Sequence, residues 1–157
     1  MAAAEEYAFE IGLRGVAADA GVNEHYSGYE LFVHKALPWQ WTWRSGWSAS
    51  TRFDTGISYL GTDATSGGWL AMGCDIALQY QDSPLEFEAG WRPTLMFRDR
   101  FGKDDYGGHF QFSSHAGASF YWKEVIVTYR YLHISNAGIY KENPGLDVHQ
   151  AGIGVRF

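Results

Sequence analysis

The sequence has a single cysteine, Cys74, among its 157 residues. That excludes an intramolecular disulfide and any cysteine-built metal cluster. Charge is also scarce: Asp, Glu, Lys and Arg make up 19% of the chain, where about a quarter is usual for a soluble domain. Twelve Lys and Arg face eighteen Asp and Glu, a net charge of −6 with no basic tract, so nucleic acid is a poor partner. No run approaches the roughly 18 apolar residues of a membrane-crossing helix, a test that is blind to strands. The opening "MAAAEEYAFEIG" lacks a basic region followed by a long apolar one. It reads as a mature start with Met1 in place of a removed signal peptide, or equally as the native start of a cytoplasmic protein. With no internal repeat and no break in composition, residues 1–157 are expected to form one domain.

Aromatic residues (17%) and 19 glycines are abundant, and the hydropathy alternates with period two, the mark of half-buried strands. Eight segments alternate. Tyr7, Phe9, Ile11 and Leu13 oppose Glu10 and Arg14. Tyr29, Leu31 and Val33 oppose Glu30, Phe32 and His34. Trp47, Phe53, Ile57 and Tyr59 oppose Ser48, Arg52, Asp54 and Ser58. The fourth segment sets Leu70, Met72, Cys74 and Ile76 against Asp75 and Gln79. The fifth sets Leu85, Phe87, Trp91 and Leu95 against Glu86, Glu88 and Arg92. The last three carry Phe110 to Phe120 opposite His109, Gln111 and His115, Val125 to Tyr131 opposite Arg130, and Ala151 to Phe157 opposite Gln150. Connections alternate between compact ("KALPWQWTW", "QDSP", "YWKE") and longer polar ones ("VAADAGVNEHYSG", "GTDATSGG", "RDRFGKDDYGG", "NAGIYKENPG"). An all-β, eight-stranded, antiparallel up-and-down barrel is expected, with both termini at the short-turn end.

Alternation does not say which face points outward. A soluble ligand-binding barrel keeps its apolar face inside; an outer-membrane barrel reverses it. Three features favour a transmembrane barrel. The polar face carries charges able to pair internally: Glu86, Glu88 and Arg92 with Arg52, Asp54, Asp75 and Arg130. Trp39, Trp41, Trp43, Tyr80, Tyr121 and Trp122 cluster near the short turns as an interfacial girdle would. The chain ends on "AGIGVRF", whose final aromatic is similar to the terminal strand of outer-membrane barrels.

Near the C-terminus stands "YLHISNAGIYKENPGLDVHQ". Counting in register, His133 and Ser135 continue the lipid-facing row of Tyr129 and Tyr131, and Asp147 joins the same face on the returning strand. A hairpin turning near residue 140 brings Asp147 beside His133. Residues i and i+2 share a strand face at roughly 6.6 Å, so the trio can act as nucleophile, base and orienting acid. The bland reading is a decorated loop, since Ser and Asn are common there. A His–Ser pair facing lipid, however, carries a desolvation cost with no structural return.

"HISNAG", then "NPGLD" and an alternating final strand, resemble the lipid A 3-O-deacylase (PagL) family of Gram-negative outer membranes. The likeness is local, over roughly residues 129–157. It implies a serine esterase of the cell outer membrane that hydrolyses the 3-O-linked hydroxyacyl chain of lipid A (lipopolysaccharide) in the outer leaflet, without metal or cofactor. The catalytic set maps onto His133, Ser135 and Asp147, where the family is familiar with Glu; Glu142 is the nearby acidic alternative. Asn136 and Gly138 match the oxyanion-stabilising elements, and are also ordinary turn residues. Arg98, Arg100, Lys103 and Lys141 are candidate contacts for lipid phosphates. The histidines, His25, His34, His109, His115, His133 and His149, make no compact metal motif, and His109 and His115 suit interior hydrogen bonds. The competing readings are a noncatalytic barrel serving adhesion or envelope stability, and an acyltransferase barrel.

Overall fold

A computed structural model describes residues 8–20, 24–62 and 65–157. Met1 and the first outward residue expected, Tyr7, lie outside them. Eight long strands pair in sequence: β1 (Phe9–Ala20), β2 (Glu24–Thr42), β3 (Trp47–Gly61), β4 (Ser66–Tyr80), β5 (Leu85–Met96), β8 (Phe110–Trp122), β9 (Val125–Ser135) and β10 (Leu146–Arg156). A small hairpin, β6 (Arg100–Phe101) and β7 (Asp104–Asp105), stands in the β5–β8 connection. β10 returns to β1 and closes the antiparallel barrel, with no free edge left to template aggregation. At the seam Phe9 and Phe157 exchange backbone hydrogen bonds of 3.0 and 2.9 Å, and their rings stack at 6.1 Å.

The apolar face points outward. Leu13, Leu31, Ile57, Ile76, Val127 and Ile153 are all exposed, and a belt this extensive is incompatible with a soluble surface. Trp39, Trp41, Trp43, Trp47, Tyr80 and Trp122 are exposed at the turn end, where indole and phenol rings suit the interface. The chain is a transmembrane barrel of the outer-membrane type. Tyr121, expected in the girdle, is a correction. It is buried, and its hydroxyl meets Arg52, Glu10 and Glu86 inside. Successive strand residues face opposite sides, so Trp122 takes the lipid and Tyr121 the lumen. Two prolines mark the wall: β2 shifts register between Ala36 and Gln40, around Pro38, and the β4–β5 ladder is interrupted opposite Pro93, because proline has no N–H to donate.

The lumen is layered. In its middle, Arg14 bonds Glu30 at 2.8 Å, Arg92 bonds Asp54 at 3.0 Å, and Arg130 reaches Asp54, Glu88 and Asp75 at 2.9, 2.8 and 3.4 Å. Arg52 pairs with Glu86 and Glu88. The expected ion network is present and extends further, to Arg14, Glu30, Glu10 and His34. Toward the turn end a cavity of about 530 Å³ opens between residues such as Glu10, Gln40, Arg52 and Glu86. Toward the loop end the lumen turns apolar: Val16, Tyr26, Leu60, Trp69, Met96, Tyr106, Leu132, Ile134, Leu146 and Val148 form one buried cluster.

Three connections expected from the sequence are mostly strand, among them "KALPWQWTW", which β2 covers as far as Thr42. β1 and β2 run to Ala20 and from Glu24, and β3 and β4 reach Gly61 and Ser66. The two remaining long connections, 97–109 and 136–145, stand over the apolar end of the lumen.

Candidate active site

Four buried apolar residues set the site. Leu132 and Ile134 on β9 and Leu146 and Val148 on β10 point inward into the cluster. Strand alternation then forces His133 and Asp147 outward, on the lipid face at the loop end. The two are directly paired across the strands. His133 Nδ1 lies 2.7 Å from Asp147 Oδ1. An ionised carboxylate only accepts, so Nδ1 carries a proton, and in the neutral ring Nε2 is then the acceptor. The direct pairing places the shorter Asp side chain in contact. Glu142 is instead exposed, 3.7 Å from Lys141 Nζ, and its carbonyl oxygen accepts a bond from Asn136.

Ser135 is half-buried at the end of β9, two residues after His133 on the same face, and its hydroxyl has no hydrogen-bond partner among the described residues. Gly145 immediately precedes Leu146, whose pairing with Ile134 is the last of the β9–β10 ladder. Gly145 has φ +74°, and a Cβ there would lie 3.1 Å from His133 Cε1 and 3.7 Å from Nε2. The Cε1–Nε2 edge of the imidazole therefore turns toward Gly145, and a glycine leaves it room.

The segment after Ser135 is braced from within. Asn136 is fully buried. Its Nδ2 donates to the carbonyls of Tyr106 and Glu142 at 3.3 and 2.7 Å, and its Oδ1 accepts from the Gly138 N–H at 2.8 Å. Its own N–H donates to Asn143 Oδ1 at 3.0 Å. Tyr106 is buried beneath, and its carbonyl also accepts from Gln111. Gly108 lies against the Tyr140 ring so closely that a Cβ would sit 2.4 Å from Cζ. Both long connections thus lock onto each other through Asn136 and Tyr140. Asn143, Tyr106 and Gly145 escape a motif search because their roles depend on contacts between distant segments.

The polar trail continues down the lipid face. The Tyr129 hydroxyl and His149 Nδ1 share a hydrogen bond of 2.8 Å, and the His149 ring lies 5.3 Å from that of Tyr131. His115 is buried 3.2 Å from Asp75, as its parity indicated, whereas His109 is exposed at the rim with Nδ1 on the Met96 carbonyl. Two interior groupings, His34–Asp54–Asp75 and Asp75–Glu88–His115, have the spacing of metal ligands. Sequence spacing gave no sign of them. Their carboxylates are paired with Arg52, Arg92 and Arg130, which favours an ion-pair role. Of the basic rim candidates, Arg100 is tied to Asp105 at 2.6 Å and Lys141 approaches Glu142, while Arg98 and Lys103 are exposed.

The family model for lipid A 3-O-deacylase (PagL) matches residues 27–156. The chain is 30% identical over 148 residues to the lipid A deacylase PagL of Bordetella bronchiseptica, covering 91% of this chain and 83% of that protein. Its fold matches the crystal structure of the outer membrane enzyme PagL with a TM-score of 0.79, at 18% identity over 94% of this chain and 99% of the other. Neisserial surface protein A (NspA) shares the fold at a TM-score of 0.53 and 15% identity, over 95% and 96% of the two chains. With that family match spanning most of the barrel, the chain belongs to the lipid A 3-O-deacylase (PagL) family.

Proposed function

We propose that residues 1–157 act as a single outer-membrane barrel domain that hydrolyses the 3-O-linked hydroxyacyl ester of lipid A through Ser135, His133 and Asp147. The observation that carries this reading is the 2.7 Å contact between His133 and Asp147 on the lipid-facing wall. Lipid A in the outer leaflet meets that wall sideways. His133 Nε2 takes the Ser135 proton as Oγ attacks the ester carbonyl, and Asp147 steadies the imidazolium. Collapse expels the sugar hydroxyl, which regains the proton from His133. Water, activated by the same base, then releases the fatty acid from Ser135. Asn136 and Gly138 are the proposed oxyanion donors. In the resting arrangement their N–H groups are engaged within the loop, so this role requires one of those bonds to be exchanged for the substrate oxygen. Arg98, Arg100, Lys103 and Lys141 are the proposed contacts for lipid phosphates.

The test is incubation of the detergent-refolded barrel with lipid A, read by mass spectrometry. Loss of one hydroxyacyl chain as free fatty acid is expected. Transfer of the chain to a second lipid identifies an acyltransferase instead, and unchanged lipid A leaves the noncatalytic barrel. Asp147→Ala is expected to lower turnover by about a hundredfold or more, and Glu142→Ala severalfold at most. The reverse order would move the acidic role to Glu142.

Gly145→Ala probes how the imidazole is held. The new Cβ meets His133 at 3.1 Å, in a backbone conformation that L side chains rarely adopt. Turnover is expected to fall about ten- to a hundredfold through misplacement of the ring. The heat-modifiable migration of the folded barrel in detergent gels should persist. An unchanged kcat would remove Gly145 from the positioning of His133.

A further inference from the structure

His133 has a second cross-strand neighbour. On its β10 side stands Asp147; on its β8 side, directly paired with it, stands Ser114. Ser114 is exposed on the lipid face, and its hydroxyl has no partner among the described residues. A free hydroxyl facing acyl chains loses its hydration with nothing in exchange. The neighbours of Ser114 do not need it: Trp91, its partner on β5, stacks instead on Phe112 at 4.9 Å.

The position of Ser114 is informative. Phe112 pairs with Ser135, so Ser114 lies on the neighbouring strand one outward row deeper in the membrane, diagonal to Ser135. Such diagonal neighbours are about 7–8 Å apart by Cα, within reach of one substrate spanning both side chains. Below Ser114 the outward residues of β8 are Ala116 and Ala118. They are flanked by Tyr131 and Tyr129 on β9 and by Ala89 and Phe87 on β5. This low track, walled by Tyr131 and Tyr129 on one side and by Phe87 lower on the other, leads from Ser135 toward the membrane interior, past Ser114. The opposite flank of His133 is taken by Asp147.

We propose that Ser114 is a specificity-determining residue that hydrogen-bonds the 3-hydroxyl of the scissile acyl chain, as the chain descends along the Ala116–Ala118 track. The hydroxyl is carried two carbons beyond the ester carbonyl, which matches the first polar side chain the chain meets. This rests on the reading of Ser135 as the nucleophile. Ser114 contributes no proton to the chemistry and positions the chain relative to His133.

The test compares two lipid A analogues of equal chain length, one with a 3-hydroxyacyl and one with an unsubstituted acyl ester at the scissile position. For the unmodified enzyme, kcat/KM is expected to favour the hydroxylated ester. In Ser114→Ala that ratio is expected to fall about five- to tenfold, the worth of one net hydrogen bond, and in Ser114→Thr it should be largely restored. A ratio unchanged in Ser114→Ala, or an equal loss on both esters, overturns the proposal. If Ser135→Ala retains full activity while Ser114→Ala is dead on both, Ser114 is the nucleophile and the underlying reading fails as well. Hydrolysis lost in Ser135→Ala with no change of ratio in Ser114→Ala sinks the specificity role alone.

Discussion

Ser135→Ala is expected to abolish release of the hydroxyacyl chain, with a fall in turnover of about 10⁴-fold or more. Under the proposed mechanism the variant removes the atom that becomes acylated, and Ser114 is the only other hydroxyl paired directly beside His133 among the described residues. Folding should be untouched, because the Ser135 hydroxyl makes no hydrogen bond to the described residues that folding could lose. Heat-modifiability and the far-ultraviolet spectrum of the refolded barrel check that point. His133→Ala should be as severe, and the double variant no worse than either alone, since the two act as one unit. Strictly additive losses, or residual turnover near the parent value in Ser135→Ala, would falsify the nucleophile assignment.

The second large effect concerns stability. Arg130 is fully buried and bonds three carboxylates, Asp54, Asp75 and Glu88. Arg130→Met keeps much of the volume and deletes the charge. Removing one partner of a buried pair leaves the other uncompensated, at a cost of about 3–5 kcal/mol. Asp75 is the most exposed to this loss, because Arg52 at 3.8 Å is then its nearest guanidinium and His115 at 3.2 Å is an imidazole. Asp54 and Glu88 retain Arg92 and Arg52. The variant should refold poorly into lipid vesicles, and its urea midpoint should drop. Arg100→Met, which breaks an exposed pair at the rim, should leave the midpoint nearly unchanged. Equal midpoints for the two variants would show that the interior charges do not hold the barrel together.

The strands and the outward face were legible because the belt alternates cleanly from Phe9 to Leu13 and from Val125 to Tyr131. The strand ends toward the loops were not. There the inner face becomes apolar (Val16, Ala18, Tyr26, Leu60) and the outer face polar (His25, Ser27). The hydropathy pattern therefore inverts along one strand and imitates a loop. His133 and Asp147 sit in this inverted zone, yet parity located them, since geometry keeps counting by two whatever the residue type. The same count puts Ser114 in an otherwise apolar row, and its neighbour across the strand is knowable only from the β8–β9 register. The engagement of Asn136 with Tyr106 and Glu142 lay beyond the sequence entirely. It depends on two long connections meeting above the lumen, and chain spacing carries no record of that.

The polar residues of the site occupy one meridian of the barrel, over β8, β9 and β10, while the wall from β2 to β5 presents an apolar face through most of the belt. Traffic in the plane of the membrane is thereby sorted. Under the proposed mechanism, neighbouring proteins can pack along the far wall without blocking turnover, and a lipid must arrive along the one meridian to react. In a crowded leaflet, throughput is set by how often that single sector is vacant, and two such barrels packed sector to sector would silence each other without any change of shape.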